Sequence, residues 1–113
     1  MTNKMQIGLE GESAAADYLI GKGYQIAARN YRSARAEIDL IVKKDNWLVF
    51  VEVKTRSGSE FGFPESFVDR QKEQNILFAA ENYMAKANWN GNVRYDIISI
   101  LNGVIEHFED AFY

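Results

Sequence analysis

The chain has 113 residues, of which 47% are hydrophobic and 26% are charged, and its formal net charge is −3. This length and composition are typical of one globular domain, so we expect residues 1–113 to fold as a single unit. The absence of cysteine excludes disulfides and thiolate zinc sites, the single His107 excludes histidine-rich metal sites, and the lack of a signal peptide or of a ~20-residue apolar run argues against a membrane span and favours the cytoplasm.

The first predicted element is an amphipathic helix over residues 5–21, in which apolar residues recur at helical spacing and Gly21 and Gly23 supply the stop signal. Glu12 falls on the same stripe as Ala15 and Leu19, so we expect it to point toward the body of the protein. A carboxylate in that position needs a partner. The alternative is that Glu12 only interacts favourably with the dipole at the helix start.

A strand is predicted over residues 24–31, followed by a polar connection and then by a hairpin over residues 37–55. The hairpin consists of two apolar runs that flank a short polar break. If Asp45-Asn46 forms a two-residue turn, Asp39 lies directly opposite Glu52 on the neighbouring strand. Side chains in such a pair lie roughly 4.5–5.5 Å apart at Cβ.

The two faces of this hairpin differ in character because side chains alternate along a strand. One face is entirely apolar and is expected to lie on the core: Ile38, Leu40, Val42, Val49, Val51 and Val53. The other face gathers three carboxylates and a lysine at one end, with Glu37 opposite Lys54: Glu37, Asp39, Glu52 and Lys54. Carboxylates this close repel each other unless a cation lies between them, and Mg²⁺ and Mn²⁺ prefer carboxylate oxygens as ligands. The pattern therefore predicts a Mg²⁺ or Mn²⁺ site.

Residues 56–69 are predicted to form a loop that borders this polar cluster, because they combine glycine, aromatic residues and the only proline. A second helix is predicted over residues 69–86, with Asp69 as its N-cap. Lys72 lies on the apolar stripe of this helix, one turn after its start. We therefore expect Lys72 to reach the sheet near the beginning of the helix.

Two further strands are predicted over residues 93–101 and 104–108, joined by an Asn-Gly turn. The connection before the first of them contains a helix, so this strand is expected to run parallel to the second strand of the hairpin. The predicted fold is α/β, with a mixed central sheet flanked by helices.

The polar cluster predicts metal-assisted hydrolysis of a phosphodiester. Asp39 and Glu52 can hold a divalent ion, with Glu12 reaching in from the first helix. Such an ion lowers the pKa of a water molecule and neutralises charge on a phosphoryl oxygen. Lys54 can position the attacking water or stabilise the transition state. The alternative is a plain cross-strand ion pair of Lys54 with Glu52 or Glu37.

The basic residues are unevenly distributed. Residues 22–72 hold ten of the thirteen Lys and Arg residues and carry a net charge of +3, whereas the rest of the chain carries −6. A locally basic surface on an acidic protein is compatible with a phosphate-bearing partner, and ordinary solvated charge is the alternative explanation. The candidate nucleic-acid contacts, each of which could also be a solvated surface residue, are Arg29, Arg32, Arg56 and Lys72.

These residues resemble a known superfamily. Asp39 followed by Glu52-Val53-Lys54 matches the Asp…(Asp/Glu)-x-Lys signature of restriction-endonuclease-like, or PD-(D/E)xK, proteins. A wider set of motifs resembles the YraN-like family of small bacterial endonuclease-like proteins over nearly the whole chain. The motifs are Gly8-x-x-Gly11-Glu12-x-x-Ala15, Arg29-Asn30-Tyr31-Arg32, Glu37-Ile38-Asp39-Leu40-Ile41, Phe50-Val51-Glu52-Val53-Lys54-Thr55-Arg56, Gly62-x-Pro64, Lys72, Ala79-Ala80-x-x-Tyr83 and Arg94-Tyr95-Asp96.

The resemblance implies a restriction-endonuclease-like αβββαβ core plus a C-terminal strand. It implies that Asp39, Glu52 and the carbonyl of Val53 are metal ligands and that Lys54 is the catalytic lysine. Glu12 is similar in placement to a helix glutamate of archaeal Holliday-junction resolvases, which act as dimers. A homodimer is therefore one expectation for this chain, beside a monomer.

The sequence departs from these patterns at two positions. Ile38 stands where the superfamily has proline before the metal-binding aspartate, and Ala36 stands where the family often has glycine.

The first hypothesis for the function is a Mg²⁺- or Mn²⁺-dependent DNA endonuclease that acts on branched, Holliday-junction-like or damaged DNA. The second is a non-catalytic nucleic-acid-binding or assembly module on a nuclease fold, and the third is an enzyme acting on another phosphodiester. The complete set of Asp39, Glu52 and Lys54 favours catalysis, because a binding scaffold has no physical need for it.

Overall fold

The structure, a computed structural model, describes residues 4–56 and 69–112. Their elements follow in chain order: α1 (Lys4–Gly21), β1 (Gln25–Ser33), β2 (Ala36–Lys44), β3 (Trp47–Arg56), α2 (Arg70–Ala87), β4 (Asn92–Leu101) and β5 (Val104–Phe108). The predicted sequence of helices and strands is confirmed. Most of the predicted loop over residues 56–69 lies outside the described residues.

The five strands form one sheet in the order β1-β2-β3-β4-β5. β3 and β4 run parallel, and the other neighbours are antiparallel. The mixed α/β sheet predicted from the helical crossover is therefore confirmed.

Local sequence accounts for where several elements begin and end. The carboxylate of Asp69 accepts a hydrogen bond from the backbone N–H of Lys72 (2.8 Å), which caps the N-terminus of α2 as predicted. Asn88 adopts a left-handed conformation (φ 54°) at the other end of that helix. Asn102 and Gly103 both have positive φ (50° and 81°), as a two-residue turn between β4 and β5 requires.

The sheet is covered on both faces. The cluster under α1 joins helix residues with residues of the central strands: Ala15, Ala16, Leu19, Leu40, Val42, Val49, Val51, Ile98 and Ile100. The cluster under α2 uses the opposite face: Ile38, Ile41, Leu48, Phe50, Ile76, Ala79, Ala80, Tyr95 and Ile97. The fold therefore has three layers, with a helix on each side of the sheet.

One face assignment made from the sequence is wrong. Ile38 was expected to share a face with Leu40, yet it packs in the cluster under α2 while Leu40 packs under α1. In the ladder with β1, Leu40 pairs with Arg29 and Ile38 pairs with Tyr31. The faces switch between these two pairs, where Asn30 has a positive φ of 51°. Strict alternation therefore fails along β2 between Ile38 and Leu40, beside the left-handed Asn30 of β1.

Neither helix in the described part of the chain is long and apolar enough to cross a membrane.

Candidate active site

The candidate site forms where β2 separates from β3. The ladder between these strands runs from Lys44–Trp47 to Leu40–Val51, which is the register predicted for the hairpin. The next residues along the strands are Asp39 and Glu52. There the backbone N–H of Val53 donates a hydrogen bond to Oδ2 of Asp39 (2.8 Å). The side chain of Asp39 thus contacts β3 directly, beside Glu52, as the register predicted.

The other predicted pair does not form. Glu37 was expected opposite Lys54, but its carboxylate forms an ion pair with Arg32 of β1 (3.1 Å). Nζ of Lys54 lies 3.5 Å from Oε1 of Glu52. The ladder between β2 and β3 ends at Leu40–Val51, and beyond it Asp39 still contacts β3 whereas Glu37 pairs with β1.

Asp39 and Glu52 interact strongly. The side chain of Glu52 is only 6% exposed, and Asp39 is largely buried. Burial, together with the negative charge of Glu52, raises the pKa of Asp39 from 3.8 to about 8. The bond from Val53 opposes this shift without cancelling it. A cation bound between the two carboxylates would lower the pKa of Asp39 and favour its ionised form.

Two lysines approach the same oxygen of Glu52. Nζ of Lys72, from the first turn of α2, lies 2.8 Å from Oε1, and Nζ of Lys54 lies 3.5 Å from it. Burial lowers the pKa of Lys54, and the nearby ammonium of Lys72 lowers it further. Burial also opposes the charged form of Lys72, but its bond to Glu52 outweighs this and raises the pKa of Lys72. The expectation that Lys72 reaches the sheet is confirmed.

Glu12 reaches the edge of the same cluster. The amide nitrogen of Asn30 donates to Oε2 of Glu12 and to Oε1 of Glu37, at 3.0 Å in each case. Burial raises the pKa of Glu12, the bond from Asn30 partly offsets this, and the charges of Glu37 and Glu52 raise it again. The partner that the sequence required for Glu12 is therefore an amide on β1, and the carboxylate of Glu52 is near enough to influence it.

Asp39, Glu52 and Lys72 border a cleft of about 260 Å³. It lies between the start of β2, the middle of β3 and the first two turns of α2. Its lining residues are Arg35, Ala36, Glu37, Asp39, Glu52, Lys72, Asn75 and Ile76. The cleft is thus acidic at its base and carries cationic side chains on its walls.

The chemistry of the donors fits a hard divalent cation. In residues 4–56 and 69–112, no group of three or more His, Cys, Asp or Glu side chains is arranged to hold a metal ion. Mg²⁺, however, is commonly held by one or two carboxylates and keeps several water ligands. Asp39 and Glu52 supply two such carboxylates, and burial together with the charge of Glu52 raises the pKa of Asp39, an effect that a bound cation would oppose.

The candidate nucleic-acid contacts are not all near the cleft. Lys72 lines it. Arg29 and Arg32 are exposed on β1, and Arg29 is near enough to lower the pKa of Glu12. Arg56 lies at the far end of β3, partly buried and paired in the ladder with Leu101 of β4. The structure therefore brings Lys72, Arg29 and Arg32 close to the acidic cluster, since Arg32 pairs with Glu37, and leaves Arg56 out of the lining of the cleft.

The sequence pattern missed two residues of this site. Asn30 links Glu12 to Glu37, and Arg35 lines the cleft from the turn between β1 and β2. The signal for Asn30 was an asparagine within a strand run, since asparagine is depleted in strands and tolerates positive φ. The signal for Arg35 was weaker, because a short polar connection does not reveal which way its side chains point.

The chain was compared with known proteins. Residues 11–100 match the model of a family described as "Uncharacterised protein family UPF0102". A UPF0102 protein of Thermodesulfovibrio yellowstonii is 41% identical over 110 residues, which cover 97% of this chain and 98% of the relative. UPF0102 proteins of Christiangramia forsetii and Persephonella marina are 40% and 42% identical, over 100% and 93% of this chain and 98% and 91% of their own lengths.

Proposed function

This chain belongs to UPF0102, the YraN-like family that its motifs resemble, and on that premise we propose that it is a Mg²⁺- or Mn²⁺-dependent DNA endonuclease. The reaction is hydrolysis of a phosphodiester bond, with branched or damaged DNA as the substrate class. The supporting observation is the adjacent pair of Asp39 and Glu52 in a cleft, with the ammonium of Lys54 3.5 Å from Glu52.

Asp39 and Glu52 would hold the divalent ion, and the carbonyl of Val53 remains a predicted third ligand. When bound, the ion lowers the pKa of a water molecule and neutralises charge on the phosphoryl group. The bond from the N–H of Val53 fixes the carboxylate of Asp39 in the orientation needed for this role. Burial of both carboxylates keeps their interaction with a cation strong.

Lys54 and Glu12 act on the substrate side. A half-buried ammonium whose pKa is lowered, such as that of Lys54, can both orient the attacking water and stabilise negative charge that develops on the phosphoryl oxygens. The carboxyl group of Glu12, whose pKa is raised, can accept or return a proton at the edge of the cluster. Asn30 holds it in place for this role.

The cationic side chains around the cleft would contact the DNA backbone. Lys72 and Arg35 line the cleft, and Arg29 and Arg32 extend the basic surface along β1. Contacts of this kind position a duplex without reading its sequence. A preference for branched DNA with two symmetric cuts would require a homodimer, and the cytoplasm is the compartment that we propose for this activity.

Cleavage of a labelled four-way junction and of linear DNA in Mn²⁺ tests the proposal. Asp39→Asn and Lys54→Met should each lower the cleavage rate by at least about 100-fold, because they remove a metal ligand and the catalytic ammonium. Lys86→Met, which removes an exposed lysine at the end of α2, is the matched control and should cleave like the wild type. Equal cleavage by all four proteins would indicate a contaminating nuclease and contradict the proposal.

One observation favours the second candidate, a non-catalytic nucleic-acid-binding module. Lys72 and Lys54 already neutralise Glu52 without any metal ion. A module of this kind would bind DNA but cleave no substrate in Mg²⁺, Mn²⁺ or Co²⁺. Its DNA affinity would also be the same with and without divalent ions.

A further inference from the structure

One carboxylate oxygen in the cleft is shared by two ammonium groups. Oε1 of Glu52 lies 2.8 Å from Nζ of Lys72 and 3.5 Å from Nζ of Lys54. The side chain of Glu52 is 6% exposed, so it needs a positive partner. The nearer partner comes from α2, 20 residues away along the chain.

The two lysines differ in how firmly they are held. Lys54 lies two residues from Glu52 on β3, in a part of the strand that pairs with β4 up to Arg56. Lys72 extends from the first turn of α2, and its side chain is 36% exposed, compared with 27% for Lys54. A lysine stem has four flexible carbons, so the ammonium of Lys72 can leave Glu52 without any backbone movement.

A divalent ion on Asp39 and Glu52 would compete with this contact. Mg²⁺ binds carboxylate oxygens at roughly 2.0–2.1 Å, so an ion on Oε1 would come close to an ammonium that is 2.8 Å from the same atom. Like charges at such a separation repel strongly in a partly buried site. Both cations cannot keep their best positions at once.

We propose that Lys72 is the built-in counter-ion of the metal-free site, and that a divalent cation binds by displacing its ammonium from Glu52 into the cleft. This inference rests on the proposed function, because it assumes that the cation binds at Asp39 and Glu52. The displaced ammonium remains beside Arg35 in the cleft wall, where a phosphate group of the substrate can accept its hydrogen bonds. Metal and DNA therefore reinforce each other's binding, since each removes or replaces a partner of Lys72.

Titration calorimetry with Mn²⁺ alone, without DNA, tests the displacement. Lys72→Met keeps the length of the stem and removes the competing charge, so it should bind Mn²⁺ about three- to tenfold more tightly than the wild type. Lys86→Met should bind like the wild type. Lys54→Met, which removes the more distant ammonium, should give a smaller gain. If Lys54→Met gained as much Mn²⁺ affinity as Lys72→Met, the effect would be a general one of charge, and the assignment to Lys72 would be overturned.

Chemical labelling of the wild-type protein provides a second measurement that does not depend on a variant folding. Mass spectrometry after mild acetylation should show that Mn²⁺ raises the labelling rate of Lys72 at least about twofold, because its ammonium is released from an ion pair, while Lys86 is unchanged. A labelling rate of Lys72 that is unaffected by saturating Mn²⁺ would overturn the displacement.

The outcomes separate this inference from the proposed function. Equal Mn²⁺ affinity of the wild type and Lys72→Met, with cleavage intact in the wild type, would overturn only the role of Lys72. A complete lack of Mn²⁺ binding in all of these proteins, with no cleavage, would overturn the metal site and both proposals together.

Discussion

Two aspartates of the sheet, on strands that β3 separates, show how a partner decides the chemistry of a buried acid. Asp96 accepts hydrogen bonds from Nε of Arg94 (2.8 Å), from Nε2 of His107 (2.7 Å) and from the backbone of Asp110 (3.0 Å). Burial opposes its charge, but the bonds from His107 and Arg94 outweigh this and lower the pKa of Asp96. For Asp39, burial and the negative charge of Glu52 are the largest influences, and they raise its pKa to about 8. Asp96 is therefore suited to structure and Asp39 to binding a cation.

The protonation of His107 follows from the same network. Nδ1 of His107 lies 3.3 Å from Nζ of Lys22, and an ammonium can only donate. Nδ1 is therefore the acceptor, and Nε2 carries the proton that is donated to Asp96. The ring of His107 therefore links Lys22 to Asp96.

The raised pKa of Asp39 predicts a pH-dependent stability. The folded state binds the proton of Asp39 more tightly than the unfolded state does. Proton binding therefore contributes its full stabilisation to the free energy of unfolding below pH 3.8, the ordinary pKa of an aspartate, and this stabilisation is lost as the pH rises toward about 8. Asp39→Asn keeps the acceptor for Val53 but cannot ionise. In metal-free protein, its free energy of unfolding relative to the wild type should rise by on the order of 2–4 kcal/mol between pH 4 and pH 8.

Urea denaturation in the presence of a chelator, at pH 4, 6 and 8, measures this difference. Saturating Mg²⁺ at pH 8 should reduce the difference, because the ion stabilises the ionised form of Asp39 in the wild type. A difference between the two proteins that stays constant across this pH range would show that Asp39 is not perturbed.

At the level of elements, the distance between α1 and β3 depends on one glycine. A Cβ atom on Gly11 would collide with Oγ1 of Thr55 on β3, so only glycine allows the helix to approach this closely. Glu12 is the next residue of the helix. The contact therefore sets how far the carboxylate of Glu12 stands from Asn30 and Glu52, which makes helix packing part of the site.

Gly11→Ala should lower the free energy of unfolding by about 1–3 kcal/mol, because the added methyl group overpacks the interface between α1 and β3. Thr55→Ala removes Oγ1 and should recover part of this loss in the double variant. Gly21→Ala is the matched control in the same helix, since a Cβ atom there meets nothing within 4 Å. Urea denaturation of the four proteins measures the effect. If the double variant were as unstable as Gly11→Ala alone, the loss of stability could not come from a collision with Oγ1 of Thr55.

At the level of the whole molecule, the proposed DNA substrate would have to approach a cluster of carboxylates on a protein whose net charge is negative. The net charge is −3, and the cleft itself contains Glu37, Asp39 and Glu52. These charges repel phosphate, whereas Arg35 and Lys72 on the cleft walls attract it. A divalent ion in the cleft would neutralise these carboxylates, so that attraction of phosphate would outweigh repulsion.

DNA binding should therefore depend on the divalent ion. Lys54→Met, which is expected to leave DNA uncut, should bind a labelled junction about tenfold more tightly in Mg²⁺ than in a chelator at 0.1 M salt. Fluorescence anisotropy measures this ratio. The double variant Asp39→Asn, Lys54→Met should show a smaller ratio. Equal affinity of Lys54→Met under both conditions would instead favour the non-catalytic module.

Sequence alone determined the order of elements, the turn of the hairpin and its register as far as Asp39 and Glu52. These features depend on local preferences: apolar runs in strands, Asp69 as a cap, and Asn-Gly in a turn. The proximity of Asp39 to Glu52 followed from the register, because pairing in a tight hairpin is fixed by its turn.

Only the tertiary structure decided which charges meet within the site. Lys72 binds Glu52 because α2 packs across the face of the sheet, which no pairing rule specifies. Asn30, which has a positive φ, joins Glu12 to Glu37, and Ile38 of the neighbouring strand packs on the face under α2. Such contacts depend on how separate elements pack together, and that packing is set by the shape of the whole core rather than by any local sequence pattern.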